Sequence, residues 1–90
     1  MKGKGDIVMK NNLEFYTEKG IKKYLSEVLT NVKVTGVAFD CFTGDEICVD
    51  LQDKGGTYDF RKRYDKIDKV TLEQLALDIM MYNKEHGYGM

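Results

Sequence analysis

The chain has 90 residues and a mass of 10.4 kDa, with 42% hydrophobic and 32% charged residues. This length fits one small domain with a thin core, because such a chain buries only about 60% of the surface it exposes when unfolded. The composition excludes a disordered chain, and no apolar run approaches the ~18 residues of a membrane-spanning helix. Fourteen basic and fifteen acidic residues give a net charge of -1, without the basic surplus of dedicated nucleic-acid binders.

The N-terminal residues give no single clear pattern. Residues 1–6 are rich in Lys and Gly and are predicted to be flexible, so one small α+β domain is expected over residues 7–90. Within residues 7–16, apolar residues alternate on both sides of a turn-like Lys10-Asn11-Asn12 segment. This pattern predicts a short hairpin, with the start of a helix as the alternative.

The first helix is predicted over residues 18–30. Thr17 is a candidate N-cap, because its hydroxyl can accept a hydrogen bond from a free N–H group of the first turn. The apolar residues that follow recur at helical spacing and form one stripe: Ile21, Tyr24, Leu25, Val28 and Leu29. Asn31 is expected to end the helix in the left-handed conformation.

Three segments of alternating apolar and polar residues follow and predict an antiparallel three-stranded meander. They are separated by the turn sequences Thr43-Gly44-Asp45 and Asp53-Lys54-Gly55-Gly56. Val34 and Val37 are out of phase, and a bulge at Gly36 would bring both onto one face. The face expected to lie under helices is apolar: Val37, Phe39, Ile47, Val49, Leu51, Tyr58 and Phe60.

The second helix is predicted over residues 72–86. Thr71-Leu72-Glu73-Gln74 matches the capping-box pattern, and Gly87 is a typical helix stop. The predicted buried stripe is Leu72, Leu75, Ala76, Ile79 and Met80, with Leu77 and Met81 widening the apolar arc. Because each helix has one stripe, both are expected to cover the same sheet face, which gives an α+β fold of order α-β-β-β-α.

The opposite sheet face is expected to be uncovered and acidic. The second turn sets Asp50 directly across from Asp59, and like charges in that position repel. The first hairpin is expected to place Asp40 opposite Cys48 or Asp50, so that each strand contributes one aspartate. Phe42 adds an exposed aromatic side chain. Three interpretations stay open: a solvated polar face, an acidic patch that docks a basic partner surface, and a divalent-cation site.

No motif indicates catalysis, a cofactor or a metal centre, so we predict a protein that is not an enzyme. Alternation places Cys41 and Cys48 on opposite faces, and two thiols with one histidine are too few for a structural zinc site. A Cys48–His86 pair is the one nucleophilic arrangement that the residues offer, and it predicts loss of activity in Cys48→Ala. The sparse cysteines favour a reducing, cytoplasmic location.

A basic segment over residues 61–69 supports nucleic-acid binding as the alternative function. Its candidate contacts are Arg61, Arg63, Lys66 and Lys69. Basic residues beside Tyr64 could follow a phosphate backbone and stack a base. The element order over about residues 18–86 resembles that of double-stranded-RNA-binding domains. Their last helix starts with a basic KKxAK-like motif, whereas this chain has Thr71-Leu72-Glu73-Gln74 there.

The same element order, in a small chain without catalytic motifs, also resembles several phage-encoded inhibitors, including some anti-CRISPR proteins. Twelve of the fourteen basic residues are Lys, a usage typical of low-GC bacteria and their phages. The resemblance implies a phage or mobile-element accessory protein that binds and inhibits a host factor. The leading prediction is a protein-interaction module that does not contact membranes, with homo-oligomerisation as a further option. Its predicted contacts are Asp40, Phe42, Asp50 and Asp59.

Overall fold

The computed structural model describes residues 11–39 and 45–89. Helix α1 spans Glu18–Val28, strands β1, β2 and β3 span Lys33–Phe39, Glu46–Asp53 and Gly56–Arg63, and helix α2 spans Leu72–His86. Short 3-10 helices at Leu13–Phe15 and Ile67–Lys69 precede α1 and α2. The strands pair antiparallel in the order β1-β2-β3. The predicted α+β fold and its element order are therefore confirmed. Within the described ranges, no helix is long and apolar enough to cross a membrane.

Helix α1 begins as predicted and ends earlier. The Thr17 hydroxyl accepts a hydrogen bond from the Gly20 N–H at 3.1 Å. The chain leaves the helical conformation at Leu29, whose side chain is buried in the core. Asn31 does not adopt the predicted left-handed conformation, since no described residue other than glycine has a positive φ. That prediction is wrong because the helix has already ended at Leu29.

Helix α2 has the predicted bounds. The Thr71 hydroxyl accepts a hydrogen bond from the Gln74 N–H at 3.1 Å, which caps the first turn. The Gln74 side chain does not return to Thr71 but donates to Asp78 Oδ1 at 2.8 Å, so half of the capping box forms. Gly87 follows the helix with φ of 74°, a conformation that residues with a Cβ rarely adopt, and ends it as predicted.

The core lies between both helices and one sheet face. Its fully buried side chains are Ile21, Leu25, Ile47, Val49, Leu51, Leu75 and Ile79. Helix α2 departs from the predicted stripe near its end, where Met80 is 41% exposed and Asn83 is buried. Asn83 lies one turn beyond Ile79 and so continues the buried side of the helix. The Tyr58 hydroxyl donates to Asn83 Oδ1 at 2.9 Å, which satisfies that buried oxygen.

The segment before α1 does not form the predicted hairpin arm. Leu13–Phe15 is a 3-10 helix, and the Leu13 N–H donates to the Val70 carbonyl at 2.8 Å. The hairpin prediction is wrong for this arm because the segment pairs with the chain that leads into α2. The alternative prediction, the start of a helix, is closer to the observed 3-10 helix. The other arm, at residues 7–9, and residues 1–6 lie outside the described ranges.

Strand β1 contains the predicted bulge. Its pairing with β2 shifts register between Val34 and Gly36, which leaves Thr35 as the extra residue. Val34 is buried and Val37 packs against the core, so the bulge brings both valines onto the covered face. The alternation of β1 is therefore interrupted once, at the position that the sequence indicates.

Candidate functional site

No described helix packs on the sheet face opposite the core, and we call it the open face. Its residues are Lys33, Gly36 and Ala38 of β1; Glu46, Cys48, Asp50 and Gln52 of β2; and Thr57, Asp59, Arg61 and Arg63 of β3. Alternation along β2 and β3 places the polar side chains here because the intervening residues Ile47, Val49, Leu51 and Phe60 enter the core. On the open face, polar side chains of all three strands lie next to one another.

Two carboxylates lie side by side on the open face, and we call Asp50 and Asp59 the acid pair. Asp50 of β2 is the cross-strand partner of Asp59 of β3, as predicted. The pairing of Gln52 with Thr57 next to the connecting turn fixes this register. Both aspartates are exposed. Repulsion between like charges in this position destabilises the fold by a few tenths of a kcal/mol.

Arg61 relieves part of this repulsion. Its Nε donates to Asp59 Oδ2 at 3.1 Å, and the two side chains are 62% and 48% exposed. An ion pair this exposed contributes little to stability and is weakened by salt. In the described part of the chain, Asp50 has no cationic group at a comparable distance. The acid pair therefore retains negative charge that Arg61 does not neutralise.

The Cys48 thiol lies between the two carboxylates. Its Sγ is 3.8 Å from Asp50 Oδ1 and 3.8 Å from Asp59 Oδ2. Burial raises the pKa of this thiol, and the Asp50 carboxylate raises the pKa further, against an opposing effect of Arg61. The thiol is therefore protonated at neutral pH, and it is a hydrogen-bond donor rather than an activated nucleophile.

The Cys48–His86 pair, the one nucleophilic arrangement that the sequence offers as an alternative, does not assemble. His86 belongs to α2, in the layer on the other side of the sheet from Cys48. The His86 ring packs against Tyr82, with ring centroids 4.4 Å apart. The sheet therefore separates the thiol from the imidazole that would have to activate it.

The missing side chain at Gly36 makes room for the Asp50 carboxylate. A Cβ at Gly36 would lie 3.1 Å from Asp50 Oδ2, closer than ordinary van der Waals contact. Beside this contact, the Thr35 hydroxyl donates to the Asp50 carbonyl at 3.2 Å. A shallow depression of about 370 Å³ lies here and is lined by Thr35, Asp50, Thr57, Tyr58 and Asp59. Its carboxylate and hydroxyl oxygens are acceptors that suit an ammonium or guanidinium group.

The structure brings together two of the four predicted partner contacts. Asp50 and Asp59 adjoin, whereas Asp40 and Phe42 lie outside the described residues. A divalent-cation site, one of the three interpretations that the sequence leaves open, would need a carboxylate from each strand. Among the residues that the structure describes, no group of three or more His, Cys, Asp or Glu side chains is arranged to hold a metal ion.

The predicted pairing of Asp40 is wrong. Cys48 pairs with Ala38, and Asp50 pairs with Gly36, so neither is opposite Asp40. The residues of β1 that pair with Cys48 and Asp50 precede the predicted partner by an even number of residues. Such a displacement keeps every side chain on its face, so the alternation of the sequence could not detect it.

The predicted nucleic-acid contacts are divided between two parts of the chain. Arg61 and Arg63 lie on the open face, with Arg63 opposite Glu46 and Arg61 bonded to the acid pair. Lys66 directly precedes the 3-10 helix that leads to α2, and Lys69 is the last residue of that helix. A phosphate backbone that approached the two arginines would therefore also approach carboxylates.

An aromatic contact at the end of α2 was missed from the sequence. The rings of Tyr58 and Tyr88 stack, with centroids 3.8 Å apart. Burial raises the pKa of Tyr58 to about 12. The residue after Tyr88 is also held, because the Gly89 N–H donates to Asp53 Oδ2 at 3.1 Å. Tyr88, directly after the helix stop at Gly87, is the sequence signal for an aromatic contact here. Its partner Tyr58 on β3 could not be identified from the sequence, because tertiary packing decides which ring it meets.

Comparisons of the chain with protein-family models, with curated proteins and with solved structures found no match.

Proposed function

We propose that this protein is a protein-interaction module whose open face docks a basic surface of a protein partner. The observation that carries the proposal is the acid pair, in which strand register holds two exposed carboxylates opposite each other. Their residual repulsion raises the free energy of the unbound protein. A partner cation that binds both carboxylates from the solvent side would offset that repulsion, so the same charges that weaken the fold favour the complex.

The depression beside the acid pair indicates the chemistry of the partner group. Its hydroxyls at Thr35 and Thr57 and its two carboxylates surround a space open to solvent. A lysine ammonium has three donors and an arginine guanidinium has five, and both form strong charge-assisted hydrogen bonds to carboxylates. Because the site is exposed, binding is expected to weaken as the salt concentration rises.

Nucleic-acid binding through Arg61, Arg63, Lys66 and Lys69 is the competing function. The acid pair counts against it, because phosphates near the two arginines would meet negative charge on the same face. The role of a phage or mobile-element inhibitor stays a prediction, since the acid pair indicates the chemistry of a partner and not its source.

NMR titrations of the isotope-labelled protein test the proposal with three probes at low salt: an oligolysine peptide, an oligoglutamate peptide and a short double-stranded RNA. We expect oligolysine to shift the amide signals of residues 48–52 and 57–61 more than the others, and oligoglutamate to shift none of these. RNA-induced shifts over residues 61–69, without an oligolysine response on the open face, would contradict the proposal and support nucleic-acid binding.

Two matched double variants separate the site from the net charge. Asp50→Asn with Asp59→Asn removes the acid pair, whereas Asp65→Asn with Asp68→Asn removes two exposed acids between β3 and α2. We expect the first variant to weaken oligolysine binding about tenfold and the second to change it less than about twofold. Equal weakening by both variants would indicate general charge attraction and contradict a defined docking site.

A further inference from the structure

Helix α2 carries apolar side chains on its solvent side as well as on its buried side. Leu77, Met80 and Met81 are 53%, 41% and 61% exposed. Leu77 lies three residues before Met80 and four before Met81, so both methionines are its neighbours on the helix surface. We call these three residues the outer stripe. A 15-residue helix that already buries one side in the core does not need this second set of apolar residues to fold.

Opposite charges lie at the two ends of the outer stripe. Glu73 is in the first turn of α2 and Lys84 is in the last turn, and both are exposed. Eleven residues separate them, which corresponds to about three helical turns, so both lie on the same side of α2. The outer stripe is thus flanked by Glu73 towards the N-terminus and by Lys84 towards the C-terminus, whereas the exposed Glu85 lies beside Met81 on the side away from Lys84.

We infer that α2 forms the interface of a homodimer, in which two copies of α2 pack antiparallel about a twofold axis through the outer stripe. A twofold axis repeats every contact, so Glu73 of each copy would adjoin Lys84 of the other copy. A parallel arrangement would instead bring like charges together. The antiparallel arrangement also brings opposite ends of the helix dipoles together. A second copy is therefore the occupant that the charges of this surface complement.

The dimer is expected to be weak. One helix face covers less area than the roughly 1,200–2,000 Å² that stable protein interfaces bury, so association should depend on concentration. The helices lie on the covered side of the sheet, so the open faces of both copies stay accessible. The inference therefore does not depend on the docking function proposed for the open face.

Sedimentation equilibrium of the full chain tests the inference at protein concentrations from about 10 µM to 1 mM, a range that covers weak dissociation constants. We expect a monomer–dimer equilibrium. Glu73→Lys and Lys84→Glu should each weaken the dimer at least about threefold, because each reversal creates two like-charge contacts. An equimolar mixture of the two variants should associate more strongly than either variant alone, because all contacts between unlike copies are then attractive.

Two further variants test whether the dimer forms through the outer stripe of α2. Leu77→Gln with Met81→Gln should abolish the dimer, whereas Lys22→Glu, the same charge change on an exposed residue of α1, should leave it unchanged. Circular dichroism checks that each variant keeps its helix content, including Glu73→Lys, which loses a 3.3 Å hydrogen bond from Asn11. A monomer at every concentration, or a dimer that neither the charge reversals nor their mixture affects, would overturn the inference.

Discussion

Asp50 lies directly across from Asp59 in the pairing of β2 with β3, on the sheet face that no described helix covers. Arg61 bonds to Asp59, and no described cation is similarly close to Asp50. The two carboxylates are cross-strand partners, but they are not equivalent, because only that of Asp59 is bonded to a cation. Substitutions at the acid pair should consequently affect stability and binding in opposite directions, and most clearly at Asp50.

Asp50→Asn is expected to stabilise the free protein by a few tenths of a kcal/mol at low salt, because it removes the repulsion without breaking an ion pair. Asp59→Asn should give no such gain, since it also removes the contact with Arg61. Urea unfolding at low and high salt measures both effects, and the gain should shrink at high salt. Destabilisation by Asp50→Asn at low salt would show that the repulsion is not significant.

Gly36→Ala is expected to weaken oligolysine binding several-fold without changing any charge. The added methyl group would lie 3.1 Å from Asp50 Oδ2 and force the carboxylate to move. Fold stability should change by less than about 1 kcal/mol, because alanine suits a strand at least as well as glycine. NMR titration with oligolysine measures the effect. Gly55→Ala in the β2–β3 turn is the control, and equal binding by both variants would contradict a role for the depression.

Much of this fold could be predicted from residues that are close together in the sequence. The bulge at Gly36 and the helix stop at Gly87 follow from what glycine permits, and the acid pair follows from the length of one turn. Contacts distant in sequence were not predictable. Leu13 hydrogen-bonds to the chain before α2, and near the end of α2 the polar Asn83 is buried whereas Met80, expected in the core, is exposed. Neither outcome leaves a signal in the local pattern of apolar residues.

Tyr58→Phe is expected to destabilise the fold by about 1–2 kcal/mol. The substitution keeps the ring that stacks on Tyr88 but leaves the buried Asn83 oxygen without its donor. The free energy of unfolding in urea measures the loss. Tyr88→Phe is the control, since it also keeps the ring pair while sparing that hydrogen bond. A loss no larger than that of the control would mean that the hydrogen bond contributes little.

The stability contributed by Asp53 is expected to depend on pH. Hydrogen bonds from backbone N–H groups, with the Gly89 N–H the largest contributor and the Gly55 N–H a further one, lower the pKa of the Asp53 carboxyl. A lowered folded-state pKa stabilises the fold above the unfolded value of about 3.9, and this stabilisation is lost as the pH falls through the folded-state pKa. Asp53→Asn should therefore destabilise the protein at neutral pH and much less in strong acid. Urea unfolding of both proteins across this pH range measures the difference, and a pH-independent difference would contradict the assignment.

The most direct test of the docking function is quantitative affinity capture from a lysate of a low-GC bacterium, followed by mass spectrometry. Three immobilised proteins are compared: the wild type, Asp50→Lys with Asp59→Lys, and the control Asp65→Lys with Asp68→Lys, which changes the net charge equally. We expect a protein that the wild type and the control retain and that the variant of the acid pair loses. Equal retention of every captured protein by the two variants would contradict the assignment of the acid pair as the docking site.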